Sequence, residues 1–254
     1  MSAAQPGEVK PHGKDFSSSL HSLSNAPAMA LPEAYLLAVH NAVNATQQDA
    51  SRDLTAILPS NRDLIWRGSD NDRQVLVATW TTHDSYFVSP GQPMGKPFVE
   101  NYTVWVTAAP ELKAFCRSYQ PGPNGPPLVG RLEQLLGLPP RSGHRYVVEL
   151  WVRPQDLFRP SADPEVTDRE AQLDYPNVPG YLSVSDLYKQ WFKDTAAARY
   201  QPKHGPPYPW TRLGYTYDWG NSETRVGVSE FVIREGAELT VHAVHATEDY
   251  GTSK

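Results

Sequence analysis

Proline occupies 24 of the 254 positions, and its placement constrains this chain more than any other feature. Each proline fixes φ and removes a backbone donor, so helix interiors and central strands exclude it. That density rules out a mostly helical bundle. The prolines gather in the segments 90–97, 121–127 and 202–209, and no proline follows Pro209. The stretches between successive prolines are in several places long enough for short strands and helices. Seven Trp and thirteen Tyr in the chain suit a strand-rich core or an aromatic-lined groove.

Residues 1–30 are rich in Ser, Pro, Gly and Ala without apolar periodicity and read as a flexible N-terminal tail; residues 31–254 read as a single domain. Within it, helical spacing of Tyr35, Leu36, Val39 and Val43 predicts a helix from Leu31 to about Asp49. Further helices are expected from Pro110 to about Tyr119 and over Leu128–Leu136. A last one, capped by Ser183 or Ser185, runs to about Arg199 with Leu187, Trp191 and Phe192 facing inward. Strands are expected over Leu64–Arg67, Gln74–Thr81, Thr103–Thr107, Tyr146–Val152, Leu213–Trp219, Val226–Ile233 and Leu239–His245. The first two of these flank a polar turn and read as a hairpin. No strand–helix–strand alternation is present, so the expected class is α+β, a strand-rich mixed or antiparallel sheet with three or four helices.

With 23 Lys+Arg against 28 Asp+Glu, the formal charge is −5, and no basic run exists to neutralise phosphates. Nucleic acid is therefore not an expected partner. No stretch approaches the roughly 18 apolar residues of a membrane span, so no membrane partner is expected. The N-terminus lacks the apolar centre of a secretory signal, which points to a cytoplasmic site of synthesis and leaves export without a cleavable signal open. The lone Cys116 excludes an internal disulfide and reads as a buried structural thiol. No metal is expected: His242 and His245 lie three apart, on opposite faces of a regular strand, and share an ion only across a bulge.

Glu230 is the leading catalytic candidate. On a continuous strand 226–233 it shares a face with Val226, Val228 and Val232, while Phe231 and Ile233 occupy the other. A carboxylate in a strand apolar on both faces is either paired, for instance with Arg212 or Arg225, or lines a cavity with a shifted pKa. Glu149 stands in a similar context between Val147 and Trp151. The segment from Pro209 to Trp219 is dense in aromatics. As a strand it sets Leu213, Tyr215, Tyr217 and Trp219 on one face and leaves the thin polar face of Gly214, Thr216 and Asp218 open to a ligand.

Several short motifs fall in a familiar order. They are Tyr86-Phe87-Val88-Ser89-Pro90-Gly91, Leu138-Pro139-Pro140, Tyr146-Val147-Val148-Glu149 followed by Arg153-Pro154, then Pro209-Trp210, then Gly227-Val228-Ser229-Glu230-Phe231. Together they resemble the tuberculosis-necrotizing-toxin type of NAD glycohydrolase, a branch of the ADP-ribosyltransferase-like fold. Glu230 stands where that family carries Gln and related transferases carry Glu. The chain departs from the family in having few glycines between Arg212 and Arg225, a longer segment from Pro90 to Leu138, and no Arg-Phe-Gly before Tyr86.

The resemblance implies cleavage of the nicotinamide–ribose bond, with NAD as substrate and no separate cofactor. It implies Glu230 as the catalytic carboxylate and Arg73 or Arg67 on the phosphates. Tyr86 or Trp210 would stack on a ring; the aromatic segment itself adds Tyr215 and Asp218 as candidates for substrate binding. The resemblance further implies an inhibitory partner protein if the chain is a toxin. Two other functions compete. One is a non-catalytic, aromatic-rich binding or protein-interaction domain. The other is an unfamiliar hydrolase that pairs Glu230 with Glu149 or Asp218.

Overall fold

Pro32 pre-sets the backbone for helix α1, Glu33–Val43. Its buried residues are Tyr35, Ala38 and Ala42, not the expected Leu36, Val39 and Val43; Leu36 and Val43 face outward. The small alanines are selected because Tyr217 and Trp219 pack against this face, with the Tyr35 and Trp219 rings edge-on at 5.6 Å. The helix stops before Asp49. Gln47–Asp49 is a separate single turn, closed by Asp49 accepting from the Thr46 N–H at 2.8 Å.

The structure, a computed structural model, describes residues 30–82, 95–178 and 182–252. In chain order the elements after α1 begin with the hairpin strands β1 (Trp66–Arg67) and β2 (Gln74–Thr81), then β3 (Pro97–Val99) and β4 (Val104–Ala108). Helices α2 (Ala109–Ser118) and α3 (Leu128–Leu135) precede β5 (Tyr146–Val152) and β6 (Leu157–Phe158). The short pair β7 (Asn177–Val178) and β8 (Leu182–Ser183) leads into α4 (Asp186–Tyr200), whose N-cap Ser185 accepts from the Tyr188 N–H. The chain ends with β9 (Tyr215–Tyr217), β10 (Val226–Ser229), β11 (Phe231–Ile233) and β12 (Glu238–Ala246).

Eight strands form one sheet in the order β3-β12-β5-β2-β4-β11-β6, with β1 added on β2, and every pairing is antiparallel. With four helices, this is the α+β class expected. The central strands β2 and β5 are buried on both faces, which explains their nearly continuous apolar runs. One face carries Val75, Val77, Val148, Leu150, Phe231 and Ile233. The other carries Leu76, Ala78, Val147 and Trp151 under α2 and α3, which contribute Leu112, Cys116, Leu132 and Leu135. Burial in this layer pushes the Cys116 thiol up to about 12, as a structural thiol requires.

Two expectations fail, each for a tertiary reason. Leu187 does not face inward: it is 83% exposed, and the inner face of α4 is built by Tyr188, Trp191 and Phe192 against Phe158 and Trp210. The stretch 226–233 is not one strand either. β10 leaves the main sheet to pair with β9, while β11 lies between β4 and β6. Gly227 permits that departure, because a Cβ there would stand 2.6 Å from both the Leu135 and Thr216 carbonyl oxygens. Glu230 falls at the break, its N–H donating to the Gly214 carbonyl at 2.9 Å.

Candidate active site

The main sheet forks. Strand β2 follows β5 as far as Thr81, but it pairs with β4 only through Val77–Ala108 and Ala78–Thr107, after which β4 turns to β11. A cavity of about 880 Å³ opens where the two strands diverge. Its floor includes Ala78, Trp80, Trp105 and Thr107. Leu112 from α2 and Leu136–Leu138 after α3 form one wall, and Trp210 with Arg199 of α4 forms another. Tyr102 lies on the rim, 76% exposed.

Glu230 projects into this cavity from the break between β10 and β11. The residue before it is fixed from α2: Glu111 accepts the Ser229 N–H at 2.9 Å and the Thr55 hydroxyl at 2.9 Å. Burial pushes the Glu111 carboxyl up, and these two hydrogen bonds act against the rise. Extending the β4–β11 register by one residue sets Glu230 opposite Thr107, on the face that carries Trp105. Glu230 Oε2 is buried without a hydrogen-bond partner among the described residues. Burial raises its pKa to about 7, against the opposing pull of Arg199 and of the nearby Trp210 indole N–H. Arg212 and Arg225, the partners a purely structural Glu230 would need, are engaged elsewhere. Arg212 donates to the Ala42 and Val43 carbonyls, and Arg225 pairs with Asp49.

Arg199 is the cation of the cavity. Its guanidinium lies over the Trp105 ring at 4.8 Å and the Tyr208 ring at 5.0 Å, and it makes no salt bridge among the described residues. Sequence reasoning passed over it. The signal was present, since Arg199 follows Trp191 by eight and Phe192 by seven residues and therefore shares their helix face. Trp105 was equally legible, being in phase with Thr107 on a short strand.

The expected site residues divide. Glu230, Trp210 and Tyr215 line the cavity. Trp210 does so with little free ring surface, since it is 5% exposed and packed against Trp105, Phe192 and Tyr200. Tyr215 is buried, and its hydroxyl donates to the Asp49 carbonyl at 2.7 Å. Asp218 does not line the cavity; both its oxygens accept from Arg131, at 2.8 and 2.6 Å. Arg67 and Arg73 are not brought to Glu230. Arg67 lies over Trp151 at 4.9 Å and donates to Gln74, while Arg73 precedes β2, roughly 17 Å along the strand from Ala78. Tyr86 lies outside the described residues.

Glu149 occupies a separate buried cluster. It accepts from the Tyr250 hydroxyl at 3.1 Å and pairs with Lys113 at 3.6 Å. A bulge between Val241 and Ala243 turns His242 and His245 to this same face, with Nε2 atoms 3.9 and 3.7 Å from Glu149 Oε2. The opposite-face expectation for these histidines thus fails through the exception it named. Among the described residues, however, no group of three or more His, Cys, Asp or Glu is arranged to hold a metal ion. The register Glu149–Ala78–Thr107, extended to Glu230, separates the two glutamates by three strand spacings, roughly 14 Å at the backbone. Glu149 is moreover held by Tyr250 and Lys113, and Asp218 is already neutralised by Arg131, so neither is free to act as a carboxylate partner of Glu230.

Comparison with protein-family models, with curated proteins and with solved structures finds no match to this chain. Among the described residues no helix is long and apolar enough to cross a membrane.

Proposed function

We propose that the fork cavity is the active site of an NAD-consuming enzyme that cleaves the nicotinamide–ribose bond. The observation that carries this reading is the Glu230 carboxylate, with one oxygen unpartnered among the described residues, in a large cavity that also presents an arginine without a salt bridge among those residues and aromatic rings. A binding module is better served by a flat aromatic face with Glu230 sealed in an ion pair. The motif order resembling NAD glycohydrolases supplies the substrate class, and the cavity supplies groups suited to it.

On this reading nicotinamide departs with the bonding electron pair, and positive charge develops on the ribosyl carbon and ring oxygen. The Glu230 carboxylate, held beside that charge on the cavity wall, stabilises it more in the transition state than in the ground state. Water then captures the cation, giving ADP-ribose and releasing a proton. Arg199 is suited to the pyrophosphate, because its guanidinium is held by ring faces that leave its N–H fork free for oxyanions. A soluble small-molecule substrate suits a chain made in the cytoplasm, and a protein that blocked the cavity mouth would act as an inhibitor.

The test is nicotinamide release from NAD by purified protein, followed chromatographically. Turnover should rise with pH through about 7 as Glu230 ionises, and Glu230→Ala should lose at least ~100-fold with an unchanged circular dichroism spectrum. Full activity in Glu230→Ala would end the reading.

A further inference from the structure

Three buried polar atoms in the cavity lack hydrogen-bond partners among the described residues, and two of them have fixed and opposite character. Glu230 Oε2 is an acceptor and the Trp210 indole Nε1–H is a donor. The indole lies close enough to the carboxylate to act on its ionisation, yet the two are not in hydrogen-bonding geometry. A buried donor and a buried acceptor left open in one cavity are each costly, and one bridging group satisfies both.

The rest of Trp210 is committed. Its ring meets Trp105 edge-on at 5.8 Å and packs on Phe192 at 5.0 Å and Tyr200 at 6.4 Å. Its carbonyl accepts the Tyr200 hydroxyl at 2.6 Å. With three rings packed around it and only 5% of the residue exposed, it has little surface on which a ligand ring can stack; what it offers the cavity is the N–H.

We infer that Trp210 is a hydrogen-bonding residue of this site, not a stacking one, and that its indole N–H and Glu230 Oε2 together clamp one ligand hydroxyl. The inference rests on the reading of the cavity as a ligand site and adds a selection rule to it. A group between these atoms has to donate to the carboxylate and accept from the indole. A hydroxyl does both, an ammonium group has no lone pair to offer, and an ether or deoxy carbon has no proton. Thr107 Oγ1, a third unpartnered atom on the cavity floor, can donate or accept, so it adds polarity without imposing a choice.

The experiment follows the Trp210 indole ¹⁵N–¹H resonance at pH 8, where Glu230 is ionised, in tryptophan-labelled protein. Saturating NAD should move this resonance downfield by about 0.3 ppm or more. Trp210→Phe, which keeps an aromatic ring and removes the donor, should raise KM for NAD about tenfold while changing kcat less than threefold. NAD analogues lacking the 2′- or the 3′-hydroxyl of the nicotinamide ribose identify the clamped group, because the correct one should bind wild type and Trp210→Phe equally. NAD turnover with a stationary Trp210 resonance and an unchanged KM would overturn the clamp and leave the NAD reading standing. If NAD does not bind, ribose 5-phosphate and methyl riboside are the probes. A Trp210 shift with either retains the hydroxyl clamp without the NAD reading, and no shift with any probe overturns it; the wild-type spectra decide even if Trp210→Phe fails to fold.

Discussion

Replacing Glu230 by Gln should make the protein more stable at alkaline pH while removing its activity. In the folded chain this carboxyl titrates near 7, whereas in an unfolded chain it titrates about two and a half pH units lower. Below about pH 4.5 both states hold the proton and the group contributes no pH dependence. Between 4.5 and 7 the native state keeps a proton that the unfolded chain has released, so stability falls as pH rises. Above 7 the full penalty of a buried carboxylate is present. At ~1.4 kcal/mol per pH unit it amounts to at most about 3 kcal/mol, less to the extent that the half-buried side chain keeps part of its hydration. Gln has the shape of the protonated acid and carries no charge. Glu230→Gln should therefore match wild type at pH 5 and exceed it by up to about 3 kcal/mol at pH 8, a Tm rise on the order of 6–12 °C for a unit of this size. Urea or thermal denaturation of both proteins at the two pH values checks this, with the other carboxylates cancelling in the difference. A wild-type-to-variant gap that is the same at pH 5 and pH 8, or a variant less stable at pH 8, would refute the argument that Glu230 is held ionised against its environment. Stability gained where activity is lost is the behaviour expected of a functional site.

Asp218 should behave in the opposite way. Asp218→Ala strands the mostly buried Arg131 guanidinium, so chemical denaturation should show a loss of about 3–5 kcal/mol, and the folded fraction should retain NAD turnover. Gly227→Ala drives a Cβ into the Leu135 and Thr216 backbone oxygens. A stability loss of about 2 kcal/mol or more, with NAD turnover lowered as Glu230 shifts, would support the role of that close approach in placing the carboxylate.

Much of the architecture was legible locally. Tyr146–Val152 matches β5 residue for residue, and α2 and α3 lie within a residue or so of their expected bounds, because proline and glycine punctuate both ends of these segments. Local rules misplaced what depends on neighbours. The outward turn of Leu187 follows from where Phe158 and Trp210 stand, and the burial of Ala38 follows from Tyr217 and Trp219 packing across α1. Neither contact leaves a trace in a window of ten residues.

The candidate site divides along the same line. Sequence alone determined that Glu230 is an anomalous carboxylate, since period two sets it among Val, Phe and Ile, and that Trp210 precedes a run of aromatics. It also determined an antiparallel-compatible set of short strands, from the spacing of proline. Tertiary structure decided that the 226–233 segment breaks at Glu230, because β10 is drawn to β9 while β11 stays with β4. It decided that Arg199, 31 residues earlier, is the cation beside that carboxylate, and that Arg67, Arg73 and Asp218 are not. The physical reason is that alternation and helical phase fix which way a side chain points within its own element. Which elements face one another is set by long-range burial and pairing, and in this chain those forces open the sheet where Glu230 lies.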